Sequence, residues 1–392
     1  MEPAYHPQTP TRADRDRSPN SEETTANDTL LPDEIWQSSL RCTQVFEAVP
    51  TTTTRLPHST RLVCLSDTHG RHRDLVLPEG DVVIHAGDMT KSGEPGNVRD
   101  LAEYLSKGCR HKDSLVIVAG NHDITLDEAY YEQSWRRFHR KGRLDVAKAR
   151  SVLNDQCTYL QDASATIRGD LSLYGSPWSP EYFGWAFSLP RGRPLREKWS
   201  AIPDDTDDLV THGPPLGRGD RTEHAGHVGC YDLLQRVQQV RPRVHIFGHI
   251  HEGYGTSFDG HTLYVNAAVV DVQYKTGNQH CIVVDVPHDK SLPAHVVQPQ
   301  YRLSAADWGA WLRQHGYDLL ACYAADGDVQ LRDEDLQPPV YRNLCDRLLL
   351  HRDPTAQRQL AHALSTLYAV SMATTICPET ACHPPRSQIS PS

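Results

Sequence analysis

The sequence predicts a layered α/β fold, and two observations carry this prediction. Short runs of apolar, mostly β-branched residues recur through the middle of the chain. Each run is followed by a polar loop, and often by a stretch with helical periodicity. Continuously apolar strands are typical of sheets that are buried on both faces, and the interleaved helices would cover those faces. In folds of this kind, functional sites form where loops leave the carboxyl ends of the strands.

The central part of the chain, residues 59–300, is the predicted catalytic domain. Its strands are expected at five apolar runs, which are Arg61 to Leu65, Val82 to Ala86, Leu115 to Ala119, Leu209 to Val210 and Val244 to Phe247. Helices between the strands are expected at about Val98 to Lys107, Asp127 to His139 and Cys230 to Val240. Every candidate motif considered below comes directly after one of these strands.

The two ends of the chain differ in composition from this domain. Residues 1–34 are rich in Pro, Thr, Ser and charged residues, and too few of their side chains are apolar to offset the entropy of ordering. They are predicted to be a disordered tail. Residues 301–375 carry helix signals, with Ser304 as an N-cap and a Leu- and Ala-rich run from Asp353 to Tyr368, and predict a helical C-terminal extension. Residues 376–392 are predicted to be a second disordered tail.

Charge, hydropathy and cysteine usage exclude several classes of protein. The chain has 40 Lys and Arg against 50 Asp and Glu, a formal charge of -10, which argues against binding along extended nucleic acid. We find no run of about 18 apolar residues and no apolar leader, so neither membrane spanning nor export is indicated and a cytoplasmic location is predicted. The ten cysteines form no CxxC pair and are interpreted as small, mostly buried hydrophobic residues.

Five polar motifs follow the predicted strands and carry the candidate chemistry. They are Asp67-Thr68-His69, Gly87-Asp88, Gly120-Asn121-His122-Asp123, Thr211-His212-Gly213 and Gly248-His249-Ile250-His251. Each motif alone is a weak signal, because a lone histidine after a strand is more often structural and a lone Gly-Asp is usually a turn. The complete set in this order is a much more specific signal.

The ordered set resembles the calcineurin-like metallophosphoesterase superfamily, whose pattern is D-x-H, G-D, G-N-H-[DE], G/T-H and G-H-x-H. The resemblance implies a four-layer α/β/β/α sandwich, in which two mixed sheets are flanked by helices. It also implies two divalent metal ions, with manganese favoured and iron or zinc as alternatives. The implied ligands are Asp67, His69 and His251 for one metal, Asn121, His212 and His249 for the other, and Asp88 as a bridge between them.

The chemistry of these side chains agrees with the implied metal pair. Imidazoles combined with carboxylates and one amide oxygen suit Mn, Fe or Zn rather than the all-oxygen sites that Ca prefers. A bridging carboxylate is needed to hold two cations about 3.5–4 Å apart against their repulsion. Such a pair lowers the pKa of a bound water and gives a hydroxide nucleophile near neutral pH.

His122 and Asp123 are the predicted catalytic residues. The resemblance implies that His122 is not a ligand but stands beside the phosphoryl group, where an imidazolium stabilises developing charge or protonates the departing oxygen. Asp123 is a candidate for orienting the His122 imidazole, and equally a candidate for an ordinary turn aspartate. Five further histidines are interpreted as structural or surface residues, namely His72, His85, His224, His227 and His245.

Further segments resemble the metallophosphoesterase-domain-containing (MPPED) branch of the superfamily, over about residues 59–287. They are Tyr174 to Pro180, Trp185 to Gly192, Thr211 to Gly217, Phe247 to Gly255 and Tyr264 to Ala268. This branch implies slow phosphodiesterase activity on small substrates, including cyclic nucleotides, and the use of manganese. A small phosphate ester is therefore the predicted partner, and no protein partner is predicted.

Two other functions remain open at this point. A phosphomonoesterase is one, although protein phosphatases of the superfamily continue their Gly-Asp with Val-Asp-Arg-Gly, whereas Gly87-Asp88 continues with Met89-Thr90-Lys91. The other is a metal-binding scaffold without turnover, against which the complete ligand set and His122 argue. A group of aromatic residues is interpreted as core or loop packing, with a stacking platform for a nucleobase as the alternative. Its members are Trp178, Tyr182, Phe183, Trp185 and Phe187.

Overall fold

A computed structural model gives the architecture of the chain. The structure describes residues 30–109, 114–169, 171–277 and 279–298, together with residues 355, 359, 360, 362 and 363. Its helices are α1 Pro32–Ile35, α2 Pro95–Ser106, α3 Glu128–Phe138, α4 Val146–Gln156, α5 Arg193–Ser200 and α6 Tyr231–Val240. Its strands are β1 Thr51–Thr52, β2 Ser59–Leu65, β3 Val82–Ala86, β4 Leu115–Val118, β5 Thr158–Leu160, β6 Ala163–Ile167, β7 Leu171–Ser176, β8 Ser179–Pro180, β9 Ser188–Leu189, β10 Asp208–Thr211, β11 Arg221–Thr222, β12 Gly226–His227, β13 Val244–Phe247, β14 Gly255–Phe258, β15 Leu263–Asn266, β16 Ile282–Pro287 and β17 His295–Val297.

Two large mixed sheets form the centre of the described chain. The first sheet has the strand order β1-β17-β16-β2-β3-β4-β5, and the second has the order β14-β15-β13-β10-β7-β6. In the first sheet β2 to β5 run parallel, and β16 lies antiparallel to β2. In the second sheet β15, β13, β10 and β7 run parallel, and β14 and β6 are antiparallel edge strands. The strands that precede the five motifs are therefore neighbours within their sheets.

Three buried apolar clusters divide the fold into four layers. Alternate residues of β2 point to opposite faces, because side chains alternate along a strand. Leu62 and Cys64 pack against the second sheet, and Val63 and Leu65 pack against α2, α3 and α4. On the far face of the second sheet, residues such as Phe247 pack against α5 and α6. The four-layer sandwich that the resemblance implied is confirmed.

The predicted elements of the core are confirmed with small changes of boundary. All five apolar runs are strands, and the three predicted helices are α2, α3 and α6. Periodicity did not predict α4, α5, or the strands β6, β7 and β14 to β17. Several of those strands are short or lie at sheet edges, where the apolar pattern is weak.

The ordered N-terminal part begins earlier than predicted. Pro32–Ile35 is helical, and the Asp33 carboxylate accepts a hydrogen bond of 3.0 Å from the backbone N–H of His227. Ile35 and Trp36 are buried in a cluster with Leu216. The tail prediction was therefore wrong for residues 32–34, because the apolar residues that follow them bury enough surface to order the segment.

The other predictions for the chain ends fall mostly outside the described residues. These are the remaining N-terminal tail, the tail over 376–392 and most of the helical extension over 301–375. The five residues of the extension that the structure describes are helical, and Leu360 and Ala363 are buried. The domain boundaries at 300 and 375 stay predictions.

The described cysteines agree with the interpretation made from their spacing. The cysteines that the structure describes are free thiols, and most are buried, with Cys42 exposed. Within the described ranges, we find no helix with the length and apolarity that crossing a bilayer requires.

Candidate metal centre

The five motifs meet where the carboxyl ends of the two sheets face each other. The first sheet contributes Asp67 and His69 after β2, Asp88 after β3, and Asn121, His122 and Asp123 after β4. The second sheet contributes His212 after β10, and His249 and His251 after β13. A parallel bridge between Ser66 and Ala268 joins the loops of the two sheets beside the site. Residues from five separate loops are thus brought into one cluster.

One group of ligand-type atoms consists of Asp67, His69 and His251. The Nε2 atom of His251 lies 3.4 Å from Asp67 Oδ1, and the Nε2 atom of His69 lies 3.9 Å from the same oxygen. One ligand atom from each residue lies within 4.8 Å of the others. Asp67 and His69 are buried. This is the arrangement expected for the first predicted metal.

A second group consists of Asp88, His212 and His249, with Asn121 at its edge. The Nε2 atom of His212 lies 3.4 Å from Asp88 Oδ1 and 2.9 Å from Asn121 Oδ1. The rings of His212 and His249 are 4.9 Å apart. The other oxygen of Asp88, Oδ2, lies 3.7 Å from Nε2 of His69 in the first group. Asp88 therefore faces both groups, one carboxylate oxygen to each, as a bridging ligand requires.

Three buried atoms of the cluster have no hydrogen-bond partner among the residues that the structure describes. They are Asp67 Oδ1 and both ring nitrogens of His69. Buried polar atoms almost always have a hydrogen-bond partner, because leaving one unpaired costs about 1–3 kcal/mol. A bound cation would be the missing partner of these atoms. Unpaired carboxylate and imidazole atoms at the centre of such a cluster are therefore expected of a cation site. The residues fit a pair of divalent cations.

Backbone carbonyls orient two of the imidazoles. Nδ1 of His212 lies 3.0 Å from the carbonyl oxygen of Ala86, and Nδ1 of His251 lies 3.0 Å from that of Asp271. A carbonyl only accepts hydrogen bonds, so Nδ1 carries the hydrogen and Nε2 faces the carboxylates. In each ring, Nε2 is therefore the nitrogen available to a cation.

Neighbouring charges set the protonation of the site. Burial lowers the pKa of His69 and of His249 to about 3. Burial also acts to lower the pKa of His212, but the charge of Asp88, the hydrogen bond to Asp88 and the charge of Asp67 together outweigh burial and raise that pKa to about 9. The pKa of Asp88 lies well below its usual value, because the surrounding imidazoles outweigh its burial. The carboxylate is ionised and ready to bind a cation, and a cation at His212 must displace a proton.

Glycines let the motif loops approach one another closely. A Cβ atom would collide with a site side chain at three motif positions, which pair Gly87 with His212, Gly120 with Asp88 and Gly248 with Asp67. Two of these contacts, Gly87 with His212 and Gly248 with Asp67, join a loop of one sheet to a side chain from the other. The glycines of the motifs are required by the distance between the two halves of the site.

Four of the predicted ligands have left-handed backbone conformations. They are Asp67, His69, Asp88 and His249, with φ angles of 56°, 43°, 56° and 66°. This region is uncommon for residues other than glycine and costs on the order of 1–3 kcal/mol per residue. Such conformations persist where the surrounding structure enforces them, and they cluster at functional sites. Their concentration here supports a functional role for the cluster.

His122 stands at the edge of the two groups. Its backbone N–H donates to Asp88 Oδ1 at 2.8 Å, and its ring meets the His69 ring edge-on at 4.7 Å. Its Nδ1 atom lies 3.0 Å from the carbonyl oxygen of Lys91, and Trp185 stacks on one face of the ring. The imidazole is held beside the ligands, as expected for a proton donor.

Asp123 does not orient His122. Its buried carboxylate accepts hydrogen bonds from the backbone N–H groups of Met89, Thr90 and Gly120 and from the Thr90 hydroxyl. The His122 ring is not among its partners. Asp123 fastens the loop after β3 to the loop after β4, so its contacts are those of the turn interpretation, and it lacks the hydrogen bond by which it was expected to orient His122.

Buried histidines that the sequence left as structural support both halves of the site. Nε2 of His85 lies 3.0 Å from the Thr68 hydroxyl, and Nε2 of His245 lies 2.8 Å from the Thr211 hydroxyl. Thr68 and Thr211 belong to the D-x-H and T-H motifs. Each histidine lies on the strand next to the motif that it supports, and burial lowers the pKa of both to about 3, so both are neutral.

The aromatic residues have mixed positions. Trp178 and Phe187 pack in the core, whereas Tyr182 and Phe183 are 48% and 43% exposed. Trp185 stacks on His122, which neither interpretation of the aromatic group anticipated. Tyr274 was missed entirely, because it lies in a loop without a motif. Its ring is 4.8 Å from His69 and 5.4 Å from His251.

Known proteins resemble the chain over the same region. A family model for calcineurin-like phosphoesterases matches residues 60–253, which contain all five motifs. Metallophosphoesterase domain-containing protein 1 of Homo sapiens is 44% identical over 252 residues, which are 62% of this chain and 76% of the relative. The Mus musculus protein of the same name gives the same values. A UPF0046 protein of Caenorhabditis elegans is 35% identical over 267 residues, which are 65% of this chain and 92% of the relative.

Proposed function

The chain belongs to the calcineurin-like phosphoesterase family, and from that premise we propose that it hydrolyses small phosphodiesters with the help of two manganese ions. Membership makes it a metal-dependent phosphoester hydrolase in general terms. The preference for diesters, cyclic nucleotides among them, and for manganese is the proposal. The observation that most strongly supports hydrolysis with two metal ions is the sharing of Asp88 between two adjoining groups of ligand-type atoms.

Seven side chains would hold the two cations. Asp67, His69 and His251 form one set, Asn121, His212 and His249 form the other, and Asp88 belongs to both. When bound, such a cation pair supplies Lewis acidity, which polarises a phosphoryl group and makes water a better nucleophile near neutral pH. The protein's own part is to fix these ligands in place before the substrate arrives.

His122 would supply the proton that the departing alcohol needs. Because Nδ1 donates to the Lys91 carbonyl, Nε2 is the nitrogen that is able to give up a proton to the substrate. General acid catalysis of this kind contributes about 10²- to 10⁴-fold in rate.

The surroundings of the cluster support a diester over a monoester. Trp185 borders His122 on one side and Tyr274 borders His69 on the other. A monoester presents one organic group and two negative charges near neutral pH, whereas a diester presents two organic groups and one charge. Two aromatic borders suit two organic groups better than they suit an additional anionic oxygen.

Hydrolysis of bis-p-nitrophenyl phosphate and of p-nitrophenyl phosphate by the full chain with added Mn²⁺ tests the proposal. We expect turnover of the diester to exceed that of the monoester. His122→Ala should lower turnover of diphenyl phosphate, a diester with a more basic leaving group, by about 10²-fold or more. His224→Ala, at an exposed histidine, should leave the rate unchanged.

Two outcomes would replace the proposal. Faster turnover of the monoester would make the chain a phosphomonoesterase. Binding of two Mn²⁺ ions without turnover of either ester would support a metal-binding scaffold.

A further inference from the structure

We propose that Trp185 positions the imidazole of His122 for proton transfer to the departing alcohol oxygen. The proposal rests on the proposed function, because it assumes that a phosphodiester is cleaved. It comes from one contact, in which the indole of Trp185 stacks on the imidazole with ring centroids 4.1 Å apart and planes inclined by 29°. Trp185 is thereby a positioning residue, and His122 is the residue that meets the substrate.

The other contacts of the His122 ring are made at Nδ1 and at its edge, and Trp185 contacts the face of the ring. The Lys91 carbonyl holds Nδ1 at 3.0 Å, and His69 meets the ring edge-on at 4.7 Å and 85°. These contacts fix one nitrogen and one edge but allow the ring to rock about the line through Nδ1. Stacking on a flat indole restricts that motion, and so it fixes the direction in which Nε2 points.

Helix α3 holds Trp185 in this position. The carbonyl of Gly184 accepts hydrogen bonds of 2.6 Å from the Tyr130 hydroxyl and from Arg137 Nη1. The Arg137 guanidinium also lies 5.6 Å from the indole centroid, and the Phe138 ring lies 5.0 Å from it. The indole is therefore held in place between these neighbours and His122. It is not a free platform on which a nucleobase stacks.

The proton-transfer role of His122 also indicates which kind of ester depends on Trp185. Water adds to phosphorus, the P–O bond to the alcohol breaks, and its electron pair stays on the departing oxygen. The Nε2 proton of the imidazolium moves to that oxygen and gives a neutral alcohol, while the attacking water loses a proton to solvent, which later restores the imidazolium. Strongly basic oxygens, as in alkyl and sugar alcohols, need this proton, whereas p-nitrophenolate leaves without it. The inferred substrates are therefore diesters of ordinary alcohols.

A comparison of leaving groups tests this role. The probes are bis-p-nitrophenyl phosphate and diphenyl phosphate, whose phenolate is the more basic leaving group, with the Mn²⁺-loaded full chain. Trp185→Leu should lower kcat/KM for diphenyl phosphate on the order of ten- to a hundredfold, because small misplacements of a catalytic group have effects of this size. The loss for bis-p-nitrophenyl phosphate should be much smaller. Trp185→Phe keeps an aromatic ring and should restore most of the difference.

Trp135→Leu is the matched control. Trp135 is also partly buried, belongs to α3 and packs against the same apolar cluster as Trp185. Its loss should therefore lower stability without changing the ratio of the two ester activities. An equal loss on both esters in Trp185→Leu, or the same ratio in both leucine variants, would overturn the proposal.

A measurement without metal or substrate separates the two proposals. Nitrogen-15 NMR of the metal-free full chain with labelled histidine reports which ring nitrogen of neutral His122 carries the hydrogen. We expect the Nδ1–H form alone in the wild type and a mixture of both forms in Trp185→Leu. Failure of the wild type to cleave either diester would sink the proposed function, whereas an unchanged NMR signal in the variant would sink the positioning role.

Discussion

The two sheets contribute different chemistry to one site. The first sheet supplies both carboxylates, the amide and one imidazole, which are Asp67, Asp88, Asn121 and His69. The second sheet supplies imidazoles alone, which are His212, His249 and His251. All the formal negative charge at the ligands thus comes from one sheet. The comparison teaches that the first sheet would supply the charge that attracts cations, while the second would complete their coordination with neutral imidazoles.

The two halves nevertheless share one supporting device. In each sheet, a buried neutral histidine holds the hydroxyl of a motif threonine, as His85 does with Thr68 and His245 with Thr211. Both histidines lie one strand away from the loop that they support. The loops differ in charge, but each is held by the same kind of hydrogen bond from a histidine on the neighbouring strand.

Away from the site, two buried carboxylates, one in each sheet, differ in their hydrogen-bond partners. Asp285 in the first sheet receives two hydrogen bonds from Arg61, at 2.7 Å and 2.9 Å, and both residues are fully buried. Asp208 in the second sheet is equally buried, but its oxygens have no hydrogen-bond partner among the described residues. Burial raises the pKa of Asp208 to about 7. Of these two carboxylates, Asp285 is the one with a buried ion-pair partner.

The largest effect is expected from removing the shared carboxylate. Asp88→Asn should lower diester turnover on the order of a thousandfold, because the cation pair contributes several kcal/mol and its bridge would lose its charge. His249→Asn, which removes a neutral ligand from the second sheet, should have a smaller effect. Isothermal titration with Mn²⁺ and kcat/KM for the diester measure both changes. Equal losses in the two variants would contradict the division of roles between the sheets.

The two buried aspartates should respond to substitution in opposite directions. Asp285→Asn breaks a buried ion pair and should destabilise the fold by about 3–5 kcal/mol. Asp208→Asn removes a carboxyl that keeps its proton in the folded chain but releases it near pH 4 when unfolded. Wild-type stability should therefore fall from about pH 4 to about pH 7, and the penalty should be complete above that range.

Thermal melting at pH 5 and pH 8 checks this pair of predictions. Asp208→Asn should weaken the pH dependence and be relatively more stable at pH 8, by no more than about 4 kcal/mol. A decrease in stability at pH 8 similar to that of Asp285→Asn would show that Asp208 is compensated after all.

A smaller effect is expected where the two halves touch. At Gly248 an added Cβ would press on the Asp67 carboxylate from the opposite sheet, so Gly248→Ala should weaken Mn²⁺ binding by about 10- to 100-fold. Gly96→Ala is the control, because Gly96 lies in α2 and an added Cβ meets nothing within 4 Å. Unchanged Mn²⁺ affinity in Gly248→Ala would mean that the loops are able to move apart.

The predictions from sequence succeed where a local pattern was enough. Apolar runs such as Val82 to Ala86 identified the central strands, and polar residues after those strands identified every side chain of the two ligand groups. Asp123 shows where this reasoning fails. Its neighbour in sequence is His122, but its carboxylate accepts hydrogen bonds from Met89 and Thr90. Which of these residues it contacts depends on the path of both loops, and the sequence does not show that path.

The sequence by itself determined the layered fold and the types of side chain at the site, because both follow from short-range periodicity and from the positions of polar residues after strands. Only the tertiary structure decided that Trp185 and Tyr274 border the histidines, and that Gly87 and Gly248 let the loops of the two sheets touch. These contacts join residues that lie far apart in the sequence and belong to no common motif. They depend on how the two sheets pack against each other, which no local pattern encodes.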